Sequence, residues 1–195
     1  MKPIIIALTG PAGCGKDTVG IIITTELQRK QEYAYSLEAL AFPMKQFCMD
    51  LFGWSYDQMY GPSELRNKPD PDGLTPRKAL QTLGTEWGRA LREDVWVDAL
   101  LSRIERNAAY WHTPCVSVVT DLRFPNEAKK IREAGGYVIR ITGRSGDVGN
   151  AHESEQHFSD PVLLEHVTHE IDNSGTLDDL REKTLAILAE ILKAT

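Results

Sequence analysis

Gly10-Pro11-Ala12-Gly13-Cys14-Gly15-Lys16-Asp17-Thr18 is the stretch on which the fold turns. It satisfies G-x-x-x-x-G-K, then departs from the usual pattern: Asp17 stands at the Ser/Thr position and Thr18 comes one later. Glycines at this spacing let successive backbone N–H groups turn inward around phosphate oxygens, and the following helix N-terminus adds partial positive charge. Lys16 supplies a full charge for the β- and γ-phosphates. The flanks agree: Ile4 to Leu8 reads as a strand buried on both faces, and Lys16 to about Lys30 has helical periodicity. A turn that merely joined strand to helix would need neither the lysine nor these flanks. Gly13, Gly15, Lys16, Asp17 and Thr18 are therefore the candidate ATP-binding residues. A carboxylate beside a triphosphate is tolerable when a cation lies between them, so Asp17 and Thr18 are also the expected metal-side residues, with Mg²⁺ as the ion.

Working outward, Cys115 to Thr120 is a second buried strand that ends at Asp121; a helix opened by Pro125 follows and stops at Gly135-Gly136. Tyr137 to Thr142, His169 to Ile171 and Tyr33 to Leu37 read as further strands. Thr176, with Asp179 three residues on, opens a C-terminal helix whose apolar stripe is Leu177, Leu180, Leu188, Ile191 and Leu192. Strands alternating with helices predict an α/β domain with a parallel sheet covered on both faces. Between Pro43 and Ala109 the pattern changes to helix, loop, helix, as in an inserted helical lobe. Its loop, Gly61 to Pro76, carries four of the ten prolines, and an exposed, mobile segment is expected there.

The 195 residues suit one domain, and 22 Lys+Arg against 28 Asp+Glu give a net charge of −6. That balance argues against a surface for long nucleic acid, which needs a basic stripe, yet leaves room for a local cationic pocket. The run Pro3 to Leu8 is too short to span a bilayer, so no membrane association and a cytoplasmic location are expected, the host's cytosol if the gene is phage-borne. Cys14, Cys48 and Cys115 are scattered and odd in number, which favours neither a zinc site nor a disulfide framework.

Five segments together resemble the bacteriophage-type deoxynucleoside monophosphate kinases. They are Gly13 to Thr18; Ala41-Phe42-Pro43-Met44-Lys45; Arg77 to Thr85 with Asp94-Val95-Trp96-Val97; Thr120 to Glu127, reading TDLRFPNE; and Asp172-Asn173-Ser174-Gly175-Thr176. The resemblance implies a P-loop NTPase three-layer sandwich with a helical NMP-binding insertion at about 43–110 and a short lid at about 143–157. It also implies transfer of the ATP γ-phosphate to a dNMP. Lys45 and Arg77 would then meet the acceptor's phosphate, and Gln81, Gly84, Thr85 and Trp96 its base or sugar. Asp121, Arg123 and Glu127 would border the same pocket, and Asn173 would lie near the adenine of ATP. ATP and a dNMP are the expected partners, and a homodimer is left open.

Phosphoryl transfer asks a protein mainly to align two phosphates and neutralise charge, so cations are the residues to seek. Lys16, Lys45, Arg77, Arg123 and Arg144 come from separate segments. Lys16, Arg123, Asp121 and Arg144 are the candidate catalytic residues: Asp121 and Arg123 close a buried strand, where ligands of open α/β sheets bind, and Asp121 stands where P-loop enzymes often hold a Mg²⁺ aspartate, so the metal and the acceptor pocket are both open to it. Arg144 opens a glycine-punctuated stretch, Gly143 to Gly149, that suits a lid. His152, Glu153, Glu155 and His157 beyond it read as lid hinge or solvated face rather than metal ligands. Of four tryptophans, Trp54, Trp87 and Trp111 are expected to pack, and Trp96 to line the nucleotide pocket. Two rivals are another small-molecule P-loop kinase resembling dephospho-coenzyme A kinase, and a non-catalytic ATP-binding regulator.

Overall fold

The structure is a computed structural model in which residues 2–144 and 157–195 are described. The chain forms two compact units, Met1–Ala39 with Ala99–Thr195, and Leu40–Asp98. The first is built on five parallel strands: β1 (Ile4–Thr9), β2 (Ala34–Glu38), β3 (Cys115–Val119), β4 (Tyr137–Thr142) and β5 (His169–Asp172). Their order across the sheet is β2-β3-β1-β4-β5. β1 lies at the centre, with Ile4 to Ala7 in register with Val116 to Val119, and Ile6 to Thr9 with Tyr137 to Arg140. Every residue of β1 and β3 is buried, which is why both read as unbroken apolar runs rather than alternating ones.

One face of the sheet presents Ile4, Ile6, Leu8, Val116, Val118, Ile139, Ile141 and Ile171. α1 (Lys16–Lys30) covers it with Val19, Ile23 and Leu27, and α9 (Leu177–Ala194) with Leu180, Leu188 and Ile191. Thr176 caps α9 as its spacing predicted, its hydroxyl accepting from Asp179 N–H at 3.2 Å. Leu177 departs from expectation and is 64% exposed. Side chains tilt toward a helix N-terminus, so the first helical residue points past the end instead of onto the core. The connection from β1 runs to one side of the sheet and that from β3 to the other. The crevice at the carboxyl ends of β1, β3 and β4 is therefore the topological switch point, where open α/β sheets bind ligands.

The second unit is helical: α2 (Phe42–Phe52), α3 (Tyr56–Tyr60), α4 (Ser63–Asn67), α5 (Pro76–Gln81) and a π-helical turn at Thr82–Arg89. α6 (Val95–Ala108) carries the chain on into the first unit's residues. The core of this unit is Cys48, Trp54, Met59 and Ala79, with Leu80 and Leu83 packed against it. The proline-rich stretch is largely exposed, as expected, and it carries local structure. It holds α4, and the Asp70 carboxylate accepts from Asp72 N–H at 3.0 Å and Leu74 N–H at 2.9 Å, so a short side chain organises the turn. Trp54 packs as expected, but Trp87 and Trp111 are about half exposed, at 53% and 52%. Neither lies on an inward stripe: Trp87 is on the exposed side of the π turn, and Trp111 lies between α6 and β3.

α7 (Pro125–Glu133) follows β3, and α8 (Pro161–Leu164) precedes β5. The three cysteines are free and buried. Among the described residues, no helix is long and apolar enough to cross a membrane.

Candidate active site

The loop between β1 and α1 needs left-handed backbone at Gly13 (φ 77°) and Gly15 (φ 104°), which only glycine adopts without strain. Gly15 is constrained twice, since a Cβ there would stand 2.6 Å from Nδ2 of Asn173. That amide, 4% exposed, donates to the Cys14 carbonyl at 2.9 Å, so the turn after β5 braces the loop. Lys16 Nζ donates to the carbonyls of Gly10 at 2.7 Å and Pro11 at 2.8 Å, and lies 5.6 Å from the centre of the Phe158 ring. Burial pushes the Lys16 ammonium below its ordinary range; Arg123 adds to this, while Cys14 and Asp17 oppose it. Asp17 and Thr18 occupy the first turn of α1, the former exposed and the latter half-buried.

Asp121 and Arg123, both half-buried, flank Leu122, which is fully buried beyond the end of β3. Glu127, 4% exposed, accepts from the backbone N–H groups of Arg123 at 2.9 Å and Phe124 at 3.0 Å. Its carboxylate caps the entry to α7 and fixes the backbone from which the Arg123 side chain departs. Arg144 donates through Nη2 to the Gly175 carbonyl at 2.7 Å, in the turn that begins with Asn173. In this structure Arg144 is thus held on the Asn173 side of the phosphate loop. The rest of the expected lid, with His152, Glu153 and Glu155, lies outside the described residues.

Within the second unit, Lys45 is half-buried on α2, with Nζ 4.2 Å from the centre of the Tyr60 ring. Arg77, in the first turn of α5, donates from Nε to Oδ1 of Asn67 at 2.6 Å. Gln81 ends α5, and Gly84 and Thr85 lie in the π turn that continues it. Wide helical turns of this kind recur at functional sites. Trp96 donates from Nε1 to the Gly84 carbonyl at 2.8 Å, and Met44 stands so close to Gly84 that a Cβ there would meet its sulfur at 3.1 Å. Lys45's neighbour, the π turn and Trp96 are therefore gathered in one place. Arg77 reaches this region through α5, which runs directly into the π turn.

Three features escaped the sequence reading. Tyr60 under Lys45 had a local signal, the Ser55-x-x-Gln58 capping pattern that opens α3. Arg66, whose Nη1 donates to the Gly61 carbonyl at 2.6 Å, had none. Nor did Thr9, fully buried just before Gly10, whose hydroxyl lacks a hydrogen-bond partner among the described residues.

A parallel sheet of order 2-3-1-4-5, with a lysine-bearing glycine loop between its central strand and first helix, gives the chain the P-loop NTPase fold. No family model matches it. It is 32% identical over 162 residues to a protein of Acanthamoeba polyphaga mimivirus named as a deoxynucleotide monophosphate kinase, a match covering 78% of this chain and 80% of that protein. It is also 39% identical over 85 residues to the deoxynucleoside-5'-monophosphate kinase of Escherichia phage T5, spanning 40% of this chain but 32% of that longer protein. Among solved structures, shikimate kinase from Acinetobacter baumannii is similar over 99% of this chain and 95% of its own, at 13% identity and a TM-score of 0.45. This chain belongs to the deoxynucleoside monophosphate kinase family, a family of enzymes.

Proposed function

We propose that this enzyme transfers the γ-phosphoryl group of ATP to a deoxynucleoside 5'-monophosphate, yielding ADP and a dNDP. The observation that carries the reading is the phosphate loop itself: left-handed glycines at 13 and 15 shape it, the Asn173 amide braces its Cys14 carbonyl, and the half-buried Lys16 ammonium lies on its Gly10 and Pro11 carbonyls, where a polyphosphate can claim it. In this reading the N–H groups from Gly13 to Thr18 cradle the ATP phosphates and Lys16 follows the γ-group, while Asn173 bounds the adenine. Lys45 and Arg77 hold the acceptor's phosphate, with Gln81, Gly84, Thr85 and Trp96 around its base and sugar. An acceptor phosphate oxygen bonds to the γ-phosphorus as the bond to the β–γ bridging oxygen breaks, and ADP leaves with that electron pair. The acceptor is already anionic near neutral pH, so no side chain need take a proton from it.

Arg123 neutralises the migrating group, Asp121 borders the acceptor, and Glu127 acts through the backbone of Arg123. Arg144, tied to Gly175, serves the donor side. The oxygen donors Asp17 and Thr18 suit a hard cation, and no group of three or more His, Cys, Asp or Glu side chains among the described residues forms an all-protein cage. They would hold Mg²⁺ together with the ATP phosphates, where it offsets phosphate charge. The place of action in this reading is the cytosol.

The test is ADP release measured against a panel of dNMPs, with dephospho-coenzyme A alongside. The expected result is strong stimulation by at least one dNMP and an acceptor KM raised by Lys45→Ala at unchanged ATP KM. Stimulation by dephospho-coenzyme A alone, or ATP binding with no acceptor-dependent turnover, would overturn the proposal.

A further inference from the structure

The contact between Lys45 and Tyr60 carries an inference that rests on the kinase reading above and deepens it. A lysine side chain is long and rich in rotamers, so an ammonium that must meet a phosphate in one position benefits from being held there beforehand. A π-face within about 6 Å of an ammonium attracts it without consuming all of its three N–H donors. Lys45 Nζ stands 4.2 Å from the centre of the Tyr60 ring, well inside that range.

The ring can act as a platform only if it is itself immobile, and the local structure makes it so. α3 opens with a reciprocal cap, Ser55 N–H donating to Gln58 Oε1 at 2.9 Å and Gln58 N–H to Ser55 Oγ at 3.3 Å. Met59, fully buried, anchors the helix in the core formed with Cys48, Trp54 and Ala79. Gly61 N–H donates to the Asp57 carbonyl at 2.9 Å, and Arg66 then binds the Gly61 carbonyl at 2.6 Å. Tyr56, one turn earlier, stacks on Tyr60 with ring centres 4.5 Å apart and planes 20° apart. Five residues of helix are thus secured at both ends and along the buried side.

We propose that Tyr60 is a positioning residue for the acceptor: its ring face orients the Lys45 ammonium toward the 5'-phosphate of the dNMP. The role needs the quadrupole of the ring and not the phenol hydroxyl. Tyr60→Leu is expected to raise the dNMP KM about three- to thirtyfold, with the ATP KM and kcat within about twofold of wild type. Tyr60→Phe restores the wild-type KM. In a Lys45→Met background, Tyr60→Leu adds less than about twofold, because the group that the ring positions is already gone.

Should Tyr60→Leu fold poorly, phenylalanines of increasing fluorination at position 60 keep the shape while draining the π-face, and the dNMP KM should climb with fluorine number. An unchanged dNMP KM in folded Tyr60→Leu, a KM indifferent to fluorination, failure of Phe to rescue, or a full additive loss on top of Lys45→Met would each overturn the platform while leaving the kinase reading intact. Wild-type enzyme without dNMP-stimulated ADP release would take down both.

Discussion

The side-chain amide of Asn173 donates to the carbonyl of Cys14 at 2.9 Å, joining the phosphate loop to a turn 159 positions further along the chain. Both groups are buried, so the bond satisfies a carbonyl that water does not reach. Removing the donor leaves that carbonyl unpaired, at a cost of about 1–3 kcal/mol, and frees the loop beside Gly15. Asn173→Ala is expected to raise the ATP KM about tenfold and leave the dNMP KM within about twofold, as read by steady-state kinetics. Equal loss for both substrates would refute a donor-side role.

The lowered pKa of Lys16 makes a pH-dependent prediction. A lysine whose folded pKa lies below its ordinary 10.5 penalises the folded state while charged in both forms. That penalty is lifted as pH rises from the folded pKa toward 10.5, so this group's share of stability increases across the window. Bound phosphates would return the pKa upward. ATP binding in that window should therefore take up protons and weaken with rising pH. Calorimetry in buffers of different ionisation enthalpy reads the uptake directly, and Lys16→Arg should abolish it.

Gly88 is buried against Trp96, and a Cβ at that position would run into the indole whose Nε1 holds the Gly84 carbonyl. Gly88→Ala is expected to displace the indole and cost about 1–3 kcal/mol in urea unfolding. The acceptor KM should rise with it, since the π turn and Trp96 move together. A stable variant with wild-type acceptor kinetics would remove Trp96 from the nucleotide pocket.

Glu38 and Arg103 form a nearly buried pair, Nε to Oε2 at 2.8 Å, and Arg103 also donates to the Ala39 carbonyl at 2.8 Å. Breaking one side strands the other charge: Arg103→Met should lower unfolding stability by about 2–4 kcal/mol, after allowance for its residual exposure. The double change Glu38→Leu with Arg103→Met should recover much of that loss. Additive losses in denaturant titrations would show that the two charges act independently.

Much of the fold was legible because its signals are local. The five strands and the helices beginning at Lys16, Pro125 and Leu177 follow from apolar runs, glycine stops and caps within a few residues of each boundary. The failures were also local in origin. Leu177 fits the apolar stripe of α9, but the stripe does not say that a first-turn side chain points past the helix end. The prolines of Gly61 to Pro76 marked an exposed segment, but they did not announce the hydrogen bonds of Asp70 and Arg66 within it. The π turn at Thr82–Arg89 could not be read, because it differs from an α-helix by one residue in hydrogen-bond span and leaves no change of composition.

Candidate site residues were legible as residues but not as partners. The glycine loop announces itself through spacing, since only glycine takes its backbone angles and only a lysine at that offset reaches the phosphates it encloses. By contrast, nothing near Cys14 specifies Asn173, and nothing near Lys45 specifies Tyr60. The sequence by itself determined the phosphate loop, the strand and helix segments and the α/β class, because steric and capping preferences act over about four residues. Strand order, the brace from Asn173 to the Cys14 carbonyl and the seat of the Lys45 ammonium were decided only by tertiary structure. Those pairings depend on which apolar faces bury each other across long stretches of chain.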